Sequence, residues 1–438
     1  MTNKKQHLKS KQGRTCLWLL LGSLLLMPFQ ASAFCGFYVA KAGSGLFNQS
    51  SQVAIVRDGD RNIVTMGSDF KGDAKEFAMV VPVPAKLAKT AIKVVNPAIL
   101  DHLDAYTAPR LVEYFDKDPC QMLVKPAMRM AQPMMAPAAP ASQVRAKKLG
   151  VTIEAKYKIE EYDVLILSAK ESSGLITWLT ENGYKMPKGA APVVGSYIKQ
   201  GMRFFVAKVN LKKYSKQGFT KLRPLQINYR HAKFMLPIRL GMLNGQGKQE
   251  LFVYAMTRKG QVKTSNYRTI KLPTDMEIPP YIKTQKQFPN FYRSLFKTLS
   301  EKEGQAVVME YAWDMNWCDP CAADPLSDKE LKDIGVFWNK PAPKNSWKRN
   351  ARNVFITRLH VSYDQSYKSD LMFEVTDNRE NYQGRYVIRH PWKGTAQCDA
   401  AKTYLERTLP NRQQKEAETL ARLTGWNINT ILRQAGTK

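Results

Sequence analysis

The 438-residue chain carries 67 Lys and Arg against 37 Asp and Glu, a formal charge of +30, and 44% of it is aliphatic or aromatic. That apolar fraction excludes wholesale disorder, and the length suits two to three domains rather than a small disulfide-stapled scaffold. The charge is spread without long like-sign blocks, so a lysine-rich solvated surface explains it as simply as attraction to anionic partners does.

Lys4, Lys5, Lys9, Lys11 and Arg14 form a basic leader, followed by the apolar run Cys16–Met27, helix-breaking Pro28 and Ala31-Ser32-Ala33. These are the three regions of a secretory signal peptide, with cleavage expected near Ala33. The run falls short of the roughly 20 apolar residues of a membrane-spanning helix, and no later stretch reaches that length. Phe34 stands before Cys35 where a lipoprotein signal needs a small residue. The expectation is an exported, soluble protein of the periplasm or exterior, with no transmembrane segment after cleavage. Nucleic acid is then excluded as a partner. An anionic envelope polymer, a lipid surface or an acidic protein fits the charge better.

The remaining chain divides into an N-terminal α+β unit (34–125), a Pro/Ala/Met-rich linker or loop (126–150), a middle α+β unit (151–265) and a C-terminal unit (266–438). In the first unit, Asp58-Gly59-Asp60 between two β-branched runs predicts a hairpin over Ser51–Phe70. Phe77–Val83 reads as a buried strand, and Asn96-Pro97 as the cap and first turn of a helix. Thr107-Ala108-Pro109 suggests a second short helix reaching Tyr114. The linker offers Met128, Met130, Met134 and Met135 as thioether ligands, although no His or Cys lies nearby and incidental methionines are the simpler account.

Beyond the linker, Tyr162–Ser168 reads as a strand and Leu175–Asn182 as a helix capped by Ser172 or Ser173. Strands are predicted at Arg203–Val209, Leu225–Tyr229, Leu251–Thr257, Ala306–Trp313, Val354–Val361 and Gly384–Ile388, and a helix at Phe288–Glu303. The tail from Asp399 to Gln434 reads as helical pieces broken at Pro410 and Gly425. Without regular βαβ alternation, the fold class is α+β: mixed, largely antiparallel sheets with interspersed short helices and a helical C-terminal tail.

Cys35-Gly36-Phe37, SSQVAIVRDG (Ser50–Gly59), FAMVVPVP (Phe77–Pro84), Tyr106 to Leu111 (YTAPRL) and Asp118-Pro119-Cys120 follow one another in this order. Leu236-Pro237-Ile238-Arg239-Leu240, CDPC at Cys318–Cys321 and Arg385-Tyr386-Val387-Ile388 come after them. In combination they resemble the bacterial exported family called Domain of Unknown Function 2330. The resemblance implies an envelope or secreted protein of mixed β and α structure, and no biochemical activity.

The sharpest chemical motif is Trp317-Cys318-Asp319-Pro320-Cys321 after an apolar strand, similar to a thioredoxin active site. Ala322-Ala323-Asp324-Pro325 interrupts the helix that such a site needs, so a structural disulfide is the plainer reading. With Cys16 removed, Cys35, Cys120, Cys318, Cys321 and Cys398 are the disulfide candidates, an odd set that allows two bonds at most. Pairing Cys35 with Cys120 would close the N-terminal unit, leaving the other three to share a second bond.

No metal or cofactor is expected. A zinc site of Cys318, Cys321, Cys398 and His390 needs the fold to gather them, and the calcium-like spacing of Asp58, Asp60, Asn62 and Asp69 lacks its glycine. There is no G-x-S-x-G, H-E-x-x-H or P-loop. Lys340, Lys344, Trp347, Lys348, Arg349 and Arg352 form an acid-free basic segment, a candidate contact for anions or simply a solvated loop. The leading expectation is a non-enzymatic envelope protein that binds an anionic surface or partner. The alternative is a periplasmic thiol–disulfide oxidoreductase using Cys318 and Cys321.

Overall fold

The computed structural model describes residues 37–40, 47–71, 77–121, 151–182, 184, 186–210, 222–243, 247–339 and 353–436. The expected hairpin seeds its central sheet. Strands Phe47–Asp58 and Arg61–Lys71 pair antiparallel with Asp58 opposite Arg61, so Gly59 and Asp60 make a two-residue turn. Gly59 has φ +59°, the left-handed conformation such a turn demands and glycine adopts at no steric cost.

On one side of the hairpin run Gln249–Thr257, then Phe355–Tyr363, Val307–Asp314 and Thr269–Lys271; on the other lie Leu225–Arg230 and Ile92–Val94. The sheet thus takes strands from the segments 34–125, 151–265 and 266–438. A second sheet, antiparallel throughout, orders Phe37–Ala40, Phe77–Val83, Arg203–Val209, Tyr162–Ala169 and Val151–Ile159.

Strand alternation sends successive side chains to opposite faces. Val53, Ile55, Val64 and Met66 meet Met79, Val81, Val164 and Phe205 of the second sheet in one buried cluster. Each such side chain contributes roughly 1.5–3 kcal/mol of apolar burial. Their neighbours Ala54, Val56 and Ile63 face the other way, beneath the helices Ala98–Thr107 and Asp328–Ile334. On the outer face of the second sheet, Ala78, Val80, Phe204 and Val206 pack under Ser172–Glu181 and Ala190–Lys199. The layers therefore run helix, sheet, sheet, helix.

A small parallel sheet of Met276–Glu277, Arg385–His390 and Arg110–Phe115 completes the chain's packing. It shares a core with Gln287–Glu303 and the tail helices through Ile278, Phe291, Leu295, Tyr386, Leu420 and Ile431. The α+β class with mostly antiparallel sheets and a helical tail is what the structure has. Among the described residues no helix is long and apolar enough to cross a membrane.

Four local expectations change. Arg110–Phe115 is a strand, not a helix: Pro109 forces Ala108 into extended backbone, and the Ala108 amide closes the preceding helix on Asp104. Ser172 and Ser173 lie inside their helix, whose cap position is Glu171 with no side-chain cap. Pro410 does not break the tail, because a π-helical stretch over Tyr404–Thr408 precedes it and accommodates the missing amide. Val151–Ile159, rich in charge, forms an unanticipated edge strand, where lysines discourage pairing with another chain.

Candidate functional site

Cys318 and Cys321 are joined to each other, Cα to Cα 5.2 Å, just past the strand Val307–Asp314. Cys321 is exposed and Cys318 half-buried. Residues 315–327 contain no helix; the next one waits for the capping box of Ser327 and Glu330. Neither sulfur therefore sits at a helix N-terminus, the device that lowers the pKa of an attacking thiol. The loop is held by Arg110, which donates to the Pro320 and Tyr106 carbonyls at 2.7 and 2.8 Å, and by Gln383, which donates to the Asp319 carbonyl at 2.6 Å.

Cys120 pairs with Cys398 rather than with Cys35, their Cα atoms 6.1 Å apart. The small parallel sheet explains the correction. Phe115 lies beside His390 and the Asp116 amide donates to the His390 carbonyl, so the chain leaves both strands side by side. Cys35, the four linker methionines, and Lys340, Lys344, Trp347, Lys348, Arg349 and Arg352 lie outside the described residues. His390 meets Glu113 at 2.6 Å and stacks on Phe115, while the sulfurs of the proposed zinc set are consumed in the two disulfides. Of the calcium-like residues, Asp58 pairs with Arg258, Asp60 with Arg230 and Asn62 with Arg57.

The face of the central sheet that is apolar at Ala54, Val56 and Ile63 turns polar toward its far edge. Register places Arg61 opposite Arg230, Ile63 opposite Asn228, Thr65 opposite Gln226, and Gln226 opposite Lys93. The alternate residues Val64, Met66, Leu225 and Ile227 remain in the sandwich core. Over this polar floor stands the helix Asp328–Ile334, tied down by Gln226, whose amide donates to the Asp333 carbonyl and to Thr65 Oγ1, both at 3.0 Å. Gly335 ends the helix at φ +108°, so close to the sheet that a Cβ there would lie 2.5 Å from Ile63 Cγ2.

Floor and helix enclose a cleft of about 710 Å³ whose lining includes Arg61, Lys93, Asp328, Lys329, Lys332 and Asn339. Lys329 pairs with Asp333 at 2.6 Å. Among the described residues, Arg61, Lys93 and Lys332 have no carboxylate partner. The Arg61 guanidinium lies 4.0 Å over the Phe337 ring, and its Nε donates to Asn228 Oδ1 at 3.4 Å. Partial burial, and then the charge of Arg230, push Arg61 below the ordinary arginine range. Such a set makes the cleft electropositive, a field that suits anions.

Further along the same face the polar groups are sealed in. A β-bulge between Met309 and Tyr311 makes Glu310 the extra residue of its strand and leaves it fully buried. Its carboxylate accepts from Arg358 Nε at 2.6 Å, from His360 Nδ1 at 2.8 Å and from the Tyr292 hydroxyl. Arg358 also donates to Asp104 Oδ1 at 2.7 Å, and Tyr254 to the same oxygen at 2.8 Å. His360 is stacked between Phe296 and Phe252, ring centroids 3.6 and 4.0 Å away, and its Nε2 lies 3.7 Å from Glu250. Burial alone would raise the Glu310 carboxyl, but the charges of Arg358 and His360 hold it low; burial would lower His360, but Glu310 and Glu250 hold it high.

Neither cluster was anticipated. Charged Glu310, Arg358 and His360 at inward positions of otherwise apolar strands were the available signal for the buried network. The alternation Leu-Gln-Ile-Asn-Tyr-Arg over 225–230 was the signal for the cleft floor.

The family described as an uncharacterized protein conserved in bacteria (DUF2330) matches residues 29–374, most of the chain. No curated protein and no solved structure matches it.

Proposed function

The chain belongs to the DUF2330 family, and from its own residues we propose that it is an exported, non-enzymatic envelope protein that binds an anionic ligand in the cleft between the central sheet and the helix Asp328–Ile334. The observation that carries this reading is the trio Arg61, Lys93 and Lys332, lining about 710 Å³ without carboxylate partners among the described residues. A fold retains such uncompensated cations at little cost where an anion completes the set. The leader peptide and the two disulfides support export, since disulfides persist in oxidising compartments. The basic segment Lys340–Arg352 follows directly on Asn339 of the cleft wall in sequence.

Binding to lipopolysaccharide, anionic lipid vesicles and cell-wall fragments at low ionic strength tests the proposal. Retention on one of these, weakened by salt and by Lys93→Glu with Lys332→Glu, is the expected result; retention on none removes it. The oxidoreductase alternative rests on the exposure of Cys321 in its short disulfide loop. It requires turnover in an insulin-reduction assay, and an inert protein there ends it.

A further inference from the structure

We infer that the ligand of this cleft is a phosphorylated sugar, its phosphate seated on Arg61 with Lys93 and Lys332 alongside; the inference rests on the binding function proposed above. Arg61 is oriented before any ligand arrives. Phe337 covers one face of its guanidinium at 4.0 Å and Asn228 takes its Nε at 3.4 Å, which leaves the terminal nitrogens as an open fork. A planar fork of that kind matches two oxygens of one phosphate or carboxylate.

Charge separates the two. Arg61, Lys93 and Lys332 are unpaired among the described residues and face the single lining carboxylate Asp328, which favours a dianion. A phosphate monoester carries about −1.5 to −2 at neutral pH, a sugar carboxylate only one charge. The volume of about 710 Å³ is far more than one phosphate fills, and lies in the range of small-molecule sites. Thr90, Asn228 and Asn339 offer hydrogen bonds to hydroxyls, and Val336 with Phe337 offers apolar surface to the C–H face of a sugar ring.

Calorimetric titration of the full chain at low ionic strength with glucose 1-phosphate, glucuronate and glucose decides it. Glucose 1-phosphate is expected to bind about tenfold or more tighter than glucuronate, with glucose undetectable. Arg61→Lys, which keeps the charge and loses the fork, should weaken both anions by a similar factor. Lys93→Gln, at the exposed sheet edge, removes one charge and should narrow the gap between phosphate and carboxylate, and circular dichroism checks that both variants fold. Equal affinity for the two anions, no measurable glucose 1-phosphate binding, a Lys93→Gln variant with unchanged selectivity, or an Arg61→Lys variant with unchanged affinities overturns the inference. Any of these outcomes leaves the proposed function standing if anionic vesicles or lipopolysaccharide still bind; loss of those as well removes both.

Discussion

The two polar clusters on this face of the central sheet obey opposite rules. Around Glu310 every charge meets its opposite: Arg358 reaches Glu310 and Asp104, and His360 lies between Glu310 and Glu250. In the cleft, Arg61, Lys93 and Lys332 stand together without carboxylates among the described residues. The difference follows from water. An ion removed from solvent costs several kcal/mol unless neighbours replace its hydration, so a buried cluster must be compensated. At the sheet edge the charges stay hydrated, and compensation can be left to a ligand. The first cluster ties strands and helices together; the second is the place of the proposed ligand.

The largest way to break this contrast is to uncompensate the buried side. Glu310→Gln leaves Arg358 buried against a neutral amide and is expected to cost about 3–5 kcal/mol in urea unfolding. Adding Arg358→Met should recover part of that loss, since the pair fails as a unit. A double variant no more stable than the single one would mean that Glu310 acts alone.

Smaller is the effect of Gly335→Ala, where the added methyl meets Ile63 at a φ of +108°. A cost of about 1–3 kcal/mol is expected from backbone strain and overpacking, together with weaker anion binding as the cleft wall lifts from the sheet. Unfolding and vesicle binding on the same samples test both halves.

The pH profile sharpens the buried side further. His360 is held above its ordinary value, so its contribution to stability is complete below about pH 6.5 and is lost as pH rises through the raised folded value. Thermal unfolding from about pH 6 to pH 9 should show the native chain losing stability relative to His360→Gln, whose profile is flatter. Parallel profiles would place the proton elsewhere in the Glu310, Glu250 and Arg358 set.

The smallest stability effect belongs to the cleft. Lys93→Gln with Lys332→Gln should change unfolding by no more than about 0.5 kcal/mol, because both groups are exposed. Anionic-vesicle binding should nevertheless fall clearly. A marked loss of stability would show these lysines to be structural and erase the distinction between the two clusters.

Local structure was largely legible in the residues. Asp58-Gly59-Asp60 announced its hairpin, the apolar runs at 77–83, 162–168 and 203–209 announced their strands, and Gly425 ended its helix in the left-handed conformation expected of a C-terminal glycine. Each of these depends on residues within one turn or one strand of each other. Failures occurred where a residue's role depends on what precedes it in space: Pro109 closes one helix instead of opening another, and Pro410 is accommodated by a π turn. The basic segment Lys340–Arg352 lies outside the described residues and is the cleft's neighbour in sequence.

Sequence by itself determined many of the individual strands and helices and the α+β class, because periodicity, caps and turn residues act over a few positions. Only the tertiary structure decided which strands share the central sheet, that Cys120 meets Cys398 across 278 residues, and that Arg61 and Lys93 line one cleft with Lys332 of a distant segment. Those outcomes are set by which apolar faces bury each other, and burial of that kind is a property of the whole chain that no local window contains.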